Sequence, residues 1–272
     1  MHTELKLDEL VNFYSVFDGS GVENFYPSLF ESIENLLLKN YFEFKNKFNL
    51  DPLSSYALTL LAKNSRKRYS IHRKIHRFKA LNIIHKLLDL GILKLEKSKE
   101  LKIIKNKKQK LKKELRTYTI QDKIIFKDHF TRFFFRFLKP NENFILEGQF
   151  DKILTEIKEN FEHYQSFCFE QLCREFLEKK FNISPVQSYW DKNLELDLYY
   201  KDENFCLLGE VKFKNKKICK NILNQLQNKA KSLNLIPNYY ILFSKNGFSK
   251  EFEKIHERNL LLFDLSDFKI LL

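Results

Sequence analysis

Glycine and proline are scarce, six and five residues in a chain of 272. Neither G-x-x-x-x-G-K nor G-x-G-x-x-G occurs, so the sequence offers no loop of backbone N–H groups shaped to cradle a nucleotide phosphate. Cysteine is also rare. Cys168, Cys173, Cys206 and Cys219 show no C-x-x-C spacing, which argues against a structural zinc knuckle and for four reduced thiols in a cytoplasmic protein. No long apolar run is present. The most apolar stretch, "FTRFFFRFL", carries two arginines and falls well short of the ~20 residues that span a bilayer. The opening "MHTELKLDEL" has three acids, Glu4, Asp8 and Glu9, and no apolar core, unlike a secretory signal. A cytoplasmic protein without membrane association is the expectation.

Hydrophobic residues make up 43% of the chain and aromatics 15%, enough for one large or two modest cores. The net charge is +13, and its distribution is uneven. Residues 63–116 hold twenty basic side chains against four acidic ones, so this fifth of the chain carries +16 and the remainder −3. Arginines cluster there with the lysines. A concentrated basic tract is the electrostatic footprint of a phosphate-backbone partner. Arg66, Lys67, Arg68, Arg73, Lys74, Arg77, Lys79, Lys107, Lys108 and Lys110 are the candidate nucleic-acid contacts; an acidic protein partner is the competing reading. His72 and His76 share a helix-face spacing, but no acid lies near them, so phosphate contact or plain surface is expected rather than zinc.

Periodicity divides the chain. Residues 1–50 read as a helical segment. Asp51-Pro52 is a helix start, and "KALNIIHKLLDLG" is an amphipathic helix with Gly91 at its C-terminal cap. "ILKLEK" and "LRTYTI" alternate as two strands around a lysine-rich span. Helices followed by a basic hairpin form a winged-helix pattern over 51–120. Residues 121–158 read as aromatic-rich connecting helices, with Phe130, Phe133, Phe134 and Phe137 at helical spacing. From 159 to 272 the order is helix, two strands, helix, strand, helix, strand, an α/β domain.

Two of those strands carry the chemistry. In "LELDLYY", alternation puts Leu194, Leu196 and Leu198 on one face and Glu195 and Asp197 on the other; in "GEVKFK", Glu210, Lys212 and Lys214 share a face. If the strands are neighbours, Asp197, Glu210 and Lys212 converge. Two carboxylates with waters and phosphate oxygens suit Mg²⁺ or Mn²⁺. Lys212 would position an attacking water or offset charge on phosphorus, and Glu170 on the preceding helix could add a carboxylate. An exposed polar sheet face with an ion pair is the alternative.

D…E-x-K on consecutive strands, after a helix with Glu and before a helix with Gln, resembles the PD-(D/E)XK nuclease superfamily. More narrowly, residues 122–272 resemble the C-terminal domain of unknown function of archaeal-type DEXX-box ATPases, through "FTRFFFRFLKPN", "FEQLCREFL", "YWDKNLELDL", "LLGEVKFK", "YYILFSKNGFS" and "LLLFDL". That family places a winged helix before this domain, similar to 51–120. The resemblance implies metal-site roles for Asp197 and Glu210, a catalytic role for Lys212, and supporting roles for Glu170 and Gln225. It implies an α+β winged-helix-like domain followed by a restriction-endonuclease-like α/β domain. No ATPase module is read in the sequence, so ATP-coupled activity is expected to come from a separate ATPase subunit. The expectation is a Mg²⁺- or Mn²⁺-dependent DNA endonuclease, with a homodimer as a further expectation. A non-catalytic DNA-binding or adaptor protein on a nuclease-like fold is the alternative.

Overall fold

The computed structural model describes residues 6–63, 66, 71–100, 110 and 118–271. The chain is a mixed α/β structure with a helical N-terminal part and a mixed sheet in the C-terminal part. Helix α1 (Leu7–Phe17) is followed by α2 (Leu29–Ser32), which runs on into a π-helical turn, and by α3 (Tyr41–Phe48). Helix α4 (Pro52–Lys63) starts at the Asp-Pro pair for the expected reason. Asp51 Oδ1 accepts the otherwise orphaned amides of Leu53 and Ser54, at 3.1 and 2.9 Å. Helix α5 (Arg77–Asp89) buries Ala80, Ile83, Ile84 and Leu87 and ends before Gly91, whose φ of 68° is the left-handed conformation a C-terminal cap requires.

A two-stranded antiparallel hairpin follows, β1 (Leu93–Glu96) and β2 (Lys123–Phe126). The second strand is thus "KIIF", which the sequence places at the head of the aromatic helix. Residues 118–120 of "LRTYTI" are not strand, and 115–117 lie outside the described residues. Four apolar-rich residues beside an aromatic helix carry no period of their own; the pairing partner decides.

Helix α6 (His129–Phe133) passes through a π-helical turn, which keeps Phe130, Phe133, Phe134 and Phe137 all buried. After α7 (Glu142–Leu146) comes the long helix α8 (Phe150–Phe181), 32 residues. The expected boundary at 159 falls inside it. Its first half packs in the core of the N-terminal helices, through Ile153, Ile157, Phe161 and Tyr164. Its second half packs on the sheet, through Phe169, Leu172, Cys173 and Phe176.

The sheet has the order β3 (Gln187–Trp190), β4 (Glu195–Lys201), β5 (Cys206–Lys212), β6 (Tyr239–Ser244), β7 (Leu260–Phe263). The first two pairings are antiparallel and the last two parallel. Helix α8 covers one face, and α9 (Lys220–Ser232) covers the other through Leu223, Leu226 and Ala230. The stretch "SKEFEKIHERN", which reads as a helix, forms only the short 3₁₀ turn Lys250–Lys254. Among the described residues no helix is long and apolar enough to cross a membrane. All four cysteines are free thiols, three of them buried.

Candidate active site

The site is built where β4 is irregular. Between the pairs Gln187–Tyr199 and Tyr189–Leu196, β3 advances two residues while β4 advances three. The extra residue is a bulge, a device that re-aims side chains. Leu196 accordingly packs in the core under α9 and Leu198 in the core under α8, so Leu194, Leu196 and Leu198 do not share the single face that strict alternation demands. Asp197 lies at this break. Its Oδ2 accepts the amide of Val211 at 2.9 Å, so the carboxylate takes the place of a main-chain partner between β4 and β5. Gly209, beside Glu210, permits the close approach of both neighbouring strands. A Cβ there would come 2.9 Å from the Ile241 carbonyl oxygen and 2.9 Å from Leu198 Cδ1.

Asp197, Glu210 and Lys212 come together at this point. Lys212 Nζ donates to Glu210 Oε2 at 2.9 Å and lies 3.6 Å from Asp197 Oδ2. From the other side, Lys229 on α9 donates to Glu210 Oε1 at 2.5 Å and to the Glu195 carbonyl oxygen at 2.7 Å. Glu210 is 6% exposed, so both of its oxygens are held by ammonium groups inside the protein. Asp197 has its pKa raised from the usual carboxylate range to about 7, by burial first and then by the charges of Glu210 and Glu170. For Lys212, burial opposes the charge, but the two carboxylates outweigh it and raise the pKa.

Glu170 borders the same cavity, but its Oε1 is taken by Arg174 at 2.5 Å and by Arg66 at 3.3 Å. Burial alone would raise its pKa; Arg66, Arg174 and Lys123 reverse that and lower it. The same ionic chain continues outward. Arg174 also donates to Glu96 Oε1 at 3.2 Å, Ser188 N to the same oxygen at 2.7 Å, and the buried Lys123 pairs with Glu195. The hairpin is therefore tied to the five-stranded sheet by buried charge.

Gln225 is not among the joined side chains; it lies exposed on α9. Lys229, one helical turn further on, is the residue that reaches Glu210. The sequence signal for it is slight: it follows Leu226 by three on the flank of the buried stripe, in a chain rich in lysine. Of the basic candidates, Arg66 borders the cavity and rests 4.5 Å from the centroid of the Phe167 ring. Arg73, Lys74, Arg77, Lys79 and Lys110 are exposed. Lys67, Arg68, Lys107 and Lys108 lie outside the described residues.

The cavity above Asp197 has a volume of about 410 Å³. It is bordered by four cationic side chains, Arg66, Arg132, Lys212 and Lys214, against the carboxylates of Glu170 and Asp197. Among the described residues no cluster of three or more His, Cys, Asp or Glu side chains is gathered as a metal site. The donor chemistry of the pair Asp197 and Glu210 nonetheless fits a hard divalent cation, which typically takes one or two carboxylates and completes its shell with waters and substrate phosphates. Burial first, and then the charges of Glu210 and Glu170, disfavour the Asp197 carboxylate, a penalty that a bound cation would offset. The Lys212 ammonium now does so in part.

Residues 134–231 match the model of the DUF234 family, described as archaeal and bacterial proteins of unknown function. The matched span contains Glu170, Asp197, Glu210, Lys212, Gln225 and Lys229. An uncharacterized protein of Methanocaldococcus jannaschii is 35% identical over 155 residues, which cover 52% of this chain and 34% of that protein. The chain thus spans about a third of the length of that curated relative. No solved structure matches.

Proposed function

We propose that this chain is a metal-dependent phosphodiesterase that cuts DNA, a nuclease of the PD-(D/E)XK kind preceded by a winged-helix-like DNA-binding unit. The observation that carries the reading is the convergence of Asp197, Glu210 and Lys212, with Lys212 Nζ 2.9 Å from the Glu210 carboxylate and 3.6 Å from that of Asp197, and with Asp197 and Lys212 bordering a cation-lined cavity. Asp197 and Glu210 would hold Mg²⁺ or Mn²⁺. When bound, such a cation lowers the pKa of an attacking water and offsets charge on the phosphoryl group. Hydrolysis would form one P–O bond from water and break one P–O ester bond, the leaving oxygen taking up a proton.

The residues divide the remaining work. Val211 N–H orients Asp197. Lys229 fixes Glu210 from the side away from Lys212. Lys212, once released from the carboxylates, brings its positive charge to the phosphoryl oxygens as charge develops there. Lys214 at the cavity rim, exposed, would meet a flanking backbone phosphate. The order α4, α5, β1, β2 supports the winged-helix part of the reading, and Arg73, Lys74, Arg77 and Lys79 supply exposed cations on one segment, none of them ion-paired among the described residues.

A second reading, a DNA-binding or adaptor protein that does not cut and works beside a separate ATPase chain, is favoured by one observation. Both Glu210 oxygens are already neutralised by lysines. Incubation of the purified chain with DNA and Mn²⁺ or Mg²⁺ separates the two. Cleavage lost in Asp197→Asn and in Lys212→Ala is the expected result; binding without cleavage under every condition leaves the adaptor.

A further inference from the structure

Two arginines are buried to a similar depth, Arg174 at 7% exposed and Arg132 at 8%, and their surroundings are opposite. Arg174 is held by two carboxylates, Glu170 at 2.5 Å and Glu96 at 3.2 Å. Arg132, on α6, forms no ion pair among the described residues. Its Nη1 donates to the Tyr164 carbonyl oxygen at 3.2 Å and to Cys168 Sγ at 3.8 Å, and its guanidinium lies 4.4 Å from the Tyr164 ring centroid and 4.7 Å from that of Phe167. These partners are all neutral. Burial raises the pKa of the Cys168 thiol although the charge of Arg132 pulls it down. His129 stays uncharged too: burial first, and then Arg132, lower its pKa to about 3. Asp128, the nearest acid in sequence, caps its own helix by accepting Thr131 N at 2.6 Å.

Arginine keeps its charge inside proteins, and a buried charge is costly unless an anion offsets it. The Arg132 guanidinium is not sealed in. It borders the same cavity as Asp197 and Lys212, and its Nε and Nη2 make no hydrogen bond among the described residues. Those two nitrogens form one edge of the planar fork, the geometry that grips two oxygens of a phosphate side by side. The facing wall supplies no counter-charge of its own. Helix α8 lines the cavity through His163, Ser166, Phe167 and Glu170, and Glu170, the one acid of the four, is already paired with Arg66 and Arg174. We infer that Arg132 binds a phosphate of the DNA strand through Nε and Nη2, and that this anion is the counter-charge the folded protein lacks. The inference rests on the nuclease reading for the strand being a substrate, but not for the binding.

Two measurements in EDTA test it. In the first, inorganic phosphate is titrated into the full chain at constant ionic strength, with chloride replaced, and binding is followed by calorimetry. The wild type should bind, and Arg132→Met should bind about tenfold or more weakly. A wild type that does not bind phosphate, or a smaller loss in the variant, overturns the inference and leaves Arg132 as a clamp between α6 and α8. If Arg132→Met does not fold, Arg132→Lys decides, because it keeps the charge and loses the fork: a loss of about fivefold or more supports the inference, and a smaller one overturns it. The second measurement separates free phosphate from DNA. Fluorescence anisotropy of a duplex oligonucleotide should show about tenfold weaker binding in the same variant, with the log–log salt slope smaller by roughly 0.9. Phosphate binding lost with DNA binding unchanged overturns the assignment to DNA. Neither measurement needs cleavage, so a wild type that cuts no DNA under any condition removes the nuclease reading alone.

Discussion

Replacing Asp197 by Asn should stabilise the metal-free protein above neutral pH and leave it unchanged in acid. The side chain is isosteric, and an amide oxygen still accepts from Val211 N. What is removed is a charge in an unfavourable place. Displacement of the Asp197 pKa from 3.8 to about 7 corresponds to about 4 kcal/mol between its two protonation states. Because the folded pKa is the raised one, the folded state holds its proton more tightly. The destabilisation is absent below pH ~4, grows between ~4 and ~7, and is complete above ~7. Part of the 4 kcal/mol does not reach the variant. The carboxylate is 25% exposed and has Lys212 at 3.6 Å, so solvent screening and the broken ion pair leave about 1–3 kcal/mol. At roughly 2–4 °C per kcal/mol for a chain near this size, the melting temperature should rise by about 2–12 °C at pH 8 and hardly at all at pH 4.5. Thermal melts followed by circular dichroism across that range measure it. A variant less stable than wild type at pH 8, or one whose gain does not depend on pH, would refute the reasoning and leave Asp197 as an ordinary member of an ion pair.

Three further outcomes follow from the same geometry. Mn²⁺ at about a hundred times its dissociation constant should stabilise the wild type by about 2.7 kcal/mol, and the gain should vanish in Asp197→Asn; a wild-type melting temperature indifferent to millimolar Mn²⁺ counts against the metal site. Neutralising Arg73, Lys74, Arg77 and Lys79 together should weaken duplex binding and flatten its salt dependence, with the log–log slope falling by roughly 0.9 for each phosphate no longer neutralised, as measured by titrations at several salt concentrations. Arg174→Met should cost about 3–5 kcal/mol in a denaturant titration, because Glu96 and Glu170 would be left buried without their shared partner; a cost below about 1 kcal/mol would show that the ionic chain is incidental.

Much of this arrangement is legible in the residues. Alternation in "LELDLYY" and "GEVKFK" marks two strands, and a spacing that allows a short turn makes them neighbours, which is enough to bring Asp197, Glu210 and Lys212 within reach. Alternation could not show the bulge. A bulge is defined by the partner strand, and the partner, Gln187–Trp190, is set by the tertiary fold. The second hairpin strand is hidden for a similar reason: "KIIF" is short, and only pairing with Leu93–Glu96 distinguishes it from the helix that follows. Arg66 stands in the basic tract with its neighbours, and nothing in that tract separates a cation that faces solvent from one turned inward to Glu170. That distinction needs the carboxylate's position, more than a hundred residues away in sequence.

Packing runs across the expected boundary at 159. Helix α8 belongs to both cores: Ile157 and Phe161 lie among the N-terminal helices, Phe169 and Phe176 against the sheet. Even α1 contributes to the second core through Val11. The β1–β2 hairpin reaches the five-stranded sheet through Glu96, which is 3% exposed, and Lys123, which is 2% exposed. Charges this deep are stable only with their partners in place. Any displacement of the hairpin on binding DNA would leave Arg174 without Glu96, and Arg174 is what holds Glu170 beside Asp197. The hairpin is thereby connected to the electrostatics around Asp197 through Glu96, Arg174 and Glu170.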